Sequence, residues 1–90
     1  MAHMKIYLTL IFNIPGLDLQ PCLIKNALVI PNRGGIITAD WWDIITDPEE
    51  LEKINSYEEY HFFMVRRLEK RYSKSKKRMH VNALIVNPTL

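Results

Sequence analysis

Between Arg66 and Arg78 the chain carries eight of its twelve Lys and Arg residues against one acid, Glu69, a local net charge of +7. Guanidinium and ammonium groups at this density neutralise phosphate oxygens and release condensed counterions, which is the chemistry of polyanion binding. Phe63 stands one helical turn before Arg67, and an aromatic ring on a basic face stacks on an unpaired base for about 1–3 kcal/mol. Phe63, Arg66, Arg67, Lys70, Lys74, Lys76, Lys77 and Arg78 are therefore the candidate nucleic-acid contacts. A helix macrodipole accounts for two or three bases near a helix C-terminus. The run continues through Ser73-Lys74-Ser75-Lys76-Lys77-Arg78, and that excess reads either as a binding surface or as solvated charge.

A field of opposite sign precedes it. Asp40 to Glu59 holds eight of the ten acidic residues against Lys53, a net of −7, so the formal total of +2 conceals two strong local fields. Glu49, Glu50, Glu58 and Glu59 fall where capped helices are expected to begin and need no functional account. Asp40 and Asp43 flank Trp41-Trp42, and tryptophan is a common interface anchor. Asp40, Trp41, Trp42 and Asp43 are thus the candidate protein-docking residues, facing a basic site on a partner, including one that normally holds nucleic acid. A small inhibitor of the kind made by viruses and mobile elements is the alternative this surface suggests. A second alternative is that the two fields meet, within the monomer or across a symmetric homodimer.

Catalysis has no comparable support. His61 and His80 are far apart in sequence, no H-E-x-x-H or paired-cysteine spacing occurs, and Arg33-Gly34-Gly35 lacks the strand-glycine-helix setting of a phosphate loop. One cysteine, Cys22, gives neither an internal disulfide nor a zinc framework. Asp40 and Asp43 alone do not specify a metal. The expectation is a non-enzymatic protein without cofactor or metal, in a reducing, cytoplasmic setting. The apolar run Ile6 to Ile14 falls short of the roughly 20 residues a membrane-spanning helix needs.

The elements that position these residues follow from periodicity. Ninety residues suit one domain with a small core, and Met1-Ala2-His3 reads as a vector remnant ahead of a natural start at Met4. Met4 to Phe12 alternates as a half-buried strand and is stopped by Asn13-Ile14-Pro15-Gly16. Residues 19–28 fit either a short helix capped by Asp18 or an extended piece. Strands are expected near 27–31 and 36–45 around a turn at 31–35, which would send the Trp41 and Trp42 rings to opposite faces. Asp47-Pro48-Glu49-Glu50 predicts a short helix near 48–54, and Ser56 with Glu59 a capping box opening a long helix near 57–74. On that helix Tyr57, Tyr60, His61, Met64, Val65, Leu68 and Tyr72 form one apolar stripe. Residues 79–86 read as a buried returning strand. The expected fold class is α+β: a mixed or antiparallel sheet of about four strands with both helices on one face, ferredoxin-like if residues 19–28 are helical.

Ile6-Tyr7-Leu8-Thr9-Leu10-Ile11 resembles the first RNA-contacting strand of an RNA-recognition motif, and Arg33-Gly34-Gly35 begins as that family's second motif does. The second motif here lacks its aromatics, and too little chain separates the two for a helix plus a strand, so the family is not assigned. What survives of the resemblance is Tyr7, a stacking candidate on the polar side of the first strand.

Overall fold

The computed structural model describes residues 4–89, so the reading of residues 1–3 as a vector remnant lies outside it. The N-terminal alternation forms β1, Lys5–Phe12, with Leu8 and Leu10 buried and Ile6 and Phe12 packed on the same side. Its principal partner comes from the other end of the chain. β1 runs parallel to the last strand, Arg78–Val86, through eight residue pairs from Lys5 with Arg78 to Phe12 with Ile85. Cys22–Ile24, here β2, adds to the free side of β1, with Leu10 opposite Cys22.

On the other side of the last strand lies a long antiparallel partner, Phe63–Ser73, and beyond it a two-residue strand, Ile36–Ile37. In chain order these three are β5, β4 and β3. The sheet order is β2-β1-β5-β4-β3, curled into a half-barrel. The helical elements among the described residues are a 3-10 turn, Trp41–Asp43, and one α-helix, α1, Pro48–Glu58. None is long and apolar enough to cross a membrane.

This sheet-dominated arrangement corrects the expected α+β fold. The long helix expected near 57–74 does not exist: residues 48–58 form one helix, and residues 63–73 are strand. The cause lies in β4 itself. Its register shifts between Val65 and Arg67, a β-bulge in which the extra residue changes the inward spacing from two to three. Phe63, Val65 and Leu68 then face the core together, and a two-then-three spacing imitates helical periodicity. Of the other strands expected, residues 27–31 make no strand, and 36–45 shrinks to Ile36–Ile37. Residues 19–28 settle the helix-or-extended alternative as a short extended piece, with no helix and no ferredoxin-like arrangement.

Asp47 caps α1 as expected, its Oδ1 accepting the Glu49 N–H at 2.9 Å, with Pro48 in the first turn. The Ser56–Glu59 signal falls at the end of this helix instead of opening another. α1 and the 3-10 turn lie over one sheet face, and their aromatic rings carry the core there. Phe63, fully buried, meets Trp41 edge-on at 5.6 Å and Phe12 at 5.7 Å, and it stacks on Tyr57 at 5.5 Å. The Trp41 indole N–H donates to Glu58 Oε2 at 3.0 Å. A carboxylate at a helix C-terminus opposes the helix dipole, and the Trp41 donor compensates it. Nearer the β4–β5 turn the same face is covered by the connection from β2 to β3. There Ala27 and Ile30 pack on the core, and the Ala27 N–H donates to the Ile6 carbonyl at 2.8 Å. Gly34, at φ 82°, turns that connection into β3 and donates to the Val65 carbonyl.

Burial, and then the nearby Glu50 carboxylate, push the Cys22 thiol above its ordinary range. The folded state therefore holds that proton more tightly than the unfolded chain does. The resulting stabilisation is full below the ordinary thiol range and is lost as pH rises through the raised value. Iodoacetamide at pH 8 should label native Cys22 much more slowly than the urea-unfolded chain, as read by intact mass; equal rates would contradict the burial. Phe63→Ala should cost about 3–5 kcal/mol in urea unfolding, whereas Trp42→Ala at an exposed site should stay within about 0.5 kcal/mol.

Candidate nucleic-acid interface

Parallel pairing of β1 with β5 and antiparallel pairing of β5 with β4 fix which side chains share a face. Leu8 is opposite Val81 and Leu10 opposite Ala83 on the core side, so their neighbours stand on the outer side. Outer residues line up in rows across β1, β5 and β4. Lys5, Arg78 and Ser73 make the row next to the β4–β5 turn. Tyr7, His80 and Arg71 make the second, Thr9, Asn82 and Glu69 the third, and Ile11, Leu84 and Arg67 the fourth. The helix and the connection from β2 to β3 pack on the opposite face.

The first two rows are electropositive and aromatic. Tyr7 and His80 lie with ring centroids 5.4 Å apart and planes at 48°. The Arg78 guanidinium carbon sits 4.7 Å from the Tyr7 ring centroid, a cation–π contact. Arg78 Nε is buried and makes no hydrogen bond. Among the described residues no carboxylate lies within ion-pair distance of Arg78; the ion pair found there is Arg67 with Glu69, at 3.2 Å. Lys74, Lys76 and Lys77 are exposed in the turn, where Lys77 adopts φ 51°. The Lys77 carbonyl accepts the Lys5 N–H at 3.1 Å, tying the turn to the start of β1. Beside the His80 and Arg71 row lies a concavity of about 560 Å³, lined also by Glu69, Lys70, Ser73, Lys76 and Asn82.

The structure redistributes the residues that the sequence grouped on one helix face. Phe63 is 0% exposed and is a core residue, so it is closed to base stacking. Arg66 lies at the bulge; Arg67 and Arg78 stand on the outer face; Lys70 is opposite Val81, on the core side but beyond its cover. Lys74, Lys76 and Lys77 come together in the turn. Lys5, Arg71, Ser73, His80 and Asn82 belong to the rows without having been singled out from the sequence. Alternation in Lys5 to Ile11 and in Arg78 to Leu84 carried the signal for three of them, Lys5, His80 and Asn82, while Arg71 and Ser73 were hidden by the helical reading.

The docking candidates divide. Trp41 is 1% exposed and belongs to the core, whereas Trp42 is 66% exposed beside exposed Asp40 and Asp43. One ring in and one ring out results from a 3-10 turn and not from a strand. The Asp40 carbonyl accepts the Asp43 N–H at 2.9 Å, and the Trp41 carbonyl accepts the Ile44 and Ile45 N–H groups at 3.0 and 2.8 Å. Among the described residues no ion pair joins the acidic and basic fields. The described residues also hold no cluster of three or more His, Cys, Asp or Glu side chains arranged for a metal.

Compared with known protein families, with characterised proteins and with solved structures, the chain matches none. A double-mutant cycle of Tyr7→Leu with Arg78→Met, read by urea unfolding, should give a coupling of about 0.5–1 kcal/mol, the size of a half-exposed cation–π pair. Zero coupling would mean that the two groups are neighbours without interaction.

Proposed function

We propose that this is a non-enzymatic nucleic-acid-binding protein that docks phosphates on the β4–β5 hairpin and the row of residues beside its turn. The observation that carries this reading is the concentration of uncompensated cations: Arg71, Lys74, Lys76, Lys77 and Arg78 gather with Lys5 at one end of the sheet, and none of them is in an ion pair among the described residues. Such a surface repels itself in the free protein and is relieved by a polyanion. A cytoplasmic setting belongs to the proposal and is supported by the buried free thiol of Cys22.

A second reading keeps one specific observation. Trp42 stands exposed between Asp40 and Asp43, a large apolar ring among acids, which suits docking on a basic site of a protein partner. It predicts a pull-down lost on Trp42→Ala, a substitution that leaves the core untouched. Trp41→Ala would be uninformative, because the buried ring supports the fold.

Fluorescence anisotropy of labelled oligonucleotides at several salt concentrations tests the main reading. Wild type should bind with a log–log salt slope of about 0.7–0.9 per phosphate neutralised. A Lys74/Lys76/Lys77→Ala variant should bind more weakly and with a slope reduced by about two to three. Absence of binding at low salt would overturn the proposal.

A further inference from the structure

The outer sheet face combines features that phosphate neutralisation alone does not need. Lys5 and Arg78 neighbour the turn lysines, but Tyr7 and His80 add no permanent charge, and they occupy the centre of the same surface. Tyr7 is held from both sides of its own row position. His80 stands directly opposite it on β5, and the Arg78 guanidinium, one row away, lies against its ring. The three planar groups form a continuous patch on β1 and β5, neighbouring inner strands of the sheet. The apolar side chains of α1, the 3-10 turn and the β2–β3 connection that join the core, among them Ile54, Trp41, Ala27 and Ile30, pack on the opposite face. The rings of Tyr7 and His80 are half-buried, on a cationic surface that borders the concavity lined by His80 and Arg71.

Resting on the nucleic-acid reading above, we infer that the Tyr7–Arg78–His80 patch is a base-stacking platform, and that the ligand of this face is single-stranded nucleic acid. Planar aromatic and guanidinium groups take the π-face of a base without regard to its identity. A duplex keeps its bases stacked on one another and offers only groove edges and phosphates, so the platform has nothing to receive from it. A single strand laid over the rows places a base on the patch while its flanking phosphates reach Arg71 on one side and Lys5 and the turn lysines on the other. Asn82, exposed in the next row, supplies an amide within reach of a base edge or sugar.

The test titrates wild type, Tyr7→Ala and His80→Ala with a labelled 12-mer of deoxythymidine and with a 12-base-pair duplex, at one salt concentration and then across several. Circular dichroism and urea unfolding show that each variant is folded. Tyr7→Leu replaces Tyr7→Ala if the latter is not folded, since it keeps the bulk against Arg78. The inference expects each substitution to weaken single-strand binding about tenfold, which is about 1.4 kcal/mol, to leave duplex binding unchanged, and to leave the salt slope unchanged because no phosphate contact is lost. Equal losses on the two ligands, or no loss on either, would overturn the platform while leaving phosphate docking by the hairpin intact. If wild type binds neither ligand at low salt, the nucleic-acid reading falls, and the platform falls with it.

Discussion

The parallel pairing of β1 with β5 is the constraint on which the rest of this structure depends. It joins Lys5–Phe12 to Arg78–Val86 across nearly the whole chain, with β2 added to β1, β4 to β5, and β3 to β4. Its register decides both faces at once. With Leu8 against Val81 and Phe12 against Ile85, the apolar rows turn toward Phe63 and Trp41; Tyr7 must then meet His80 on the other side. A slip of one residue would carry the core residues of β1 into solvent and bury Lys5 and Tyr7, so core packing and surface composition are one specification. The closure entropy of so distant a contact must be met before the core rewards it. The aromatic cluster of Phe12, Trp41, Tyr57 and Phe63 is where that reward is concentrated.

On this frame the charge of the chain is sorted in space as well as in sequence. α1 and the Trp41–Asp43 turn pack where β1 ends and β4 begins, whereas residues 74–77 turn at the opposite end beside Lys5. An eleven-residue strand such as β4 covers about 33–36 Å at about 3.3 Å per residue, most of the 43 Å long dimension. That length is several times the Debye length of about 8 Å at physiological salt, so the turn lysines stand apart from the acidic helix, whereas Arg66 and Arg67 lie on the half of β4 nearer to it.

The extent to which this was legible in the sequence varies with how each element meets water. β1 was readable because one face is wet and one is dry, and the cap of α1 because Asp47-Pro48 is a local device independent of tertiary contacts. β4 was not. Its bulge breaks the period of two, its distal half is polar on both faces, and Ser56–Glu59 imitates a second helix start. Reading it as a helix moved Phe63 from the core to a basic surface and separated Arg71 from His80, its partner across the sheet. The basic run itself was plain in the sequence, but its placement was not. Which cations share a face follows from strand register, and the register is set by a parallel pairing that no local pattern encodes.

The cations of β4 have a structural explanation that those of β1 and β5 lack. β3 pairs only with Phe63 and Met64, and the Gly34 and Gly35 backbone bonds reach only to Val65. From Arg67 to Ser73 no described strand lies along the outer edge of β4. An open edge invites another chain to pair with it, and proteins commonly discourage this with charge. Arg67, Lys70 and Arg71 would repel their counterparts in an antiparallel edge-to-edge dimer, so edge protection is one role for these three, beside the phosphate contact proposed for Arg71. Lys74, Lys76 and Lys77 sit in a turn, which has no ladder to protect. Arg78 and His80 lie on β5, which is paired on both sides along these residues, whereas Lys5 and Tyr7 pair with β5 and have on their other side the Ala27 backbone, bonded to Ile6. Subtracting edge protection therefore removes part of the basic run and leaves the row beside the turn and the aromatic row behind it, the two that lie together on the uncovered face.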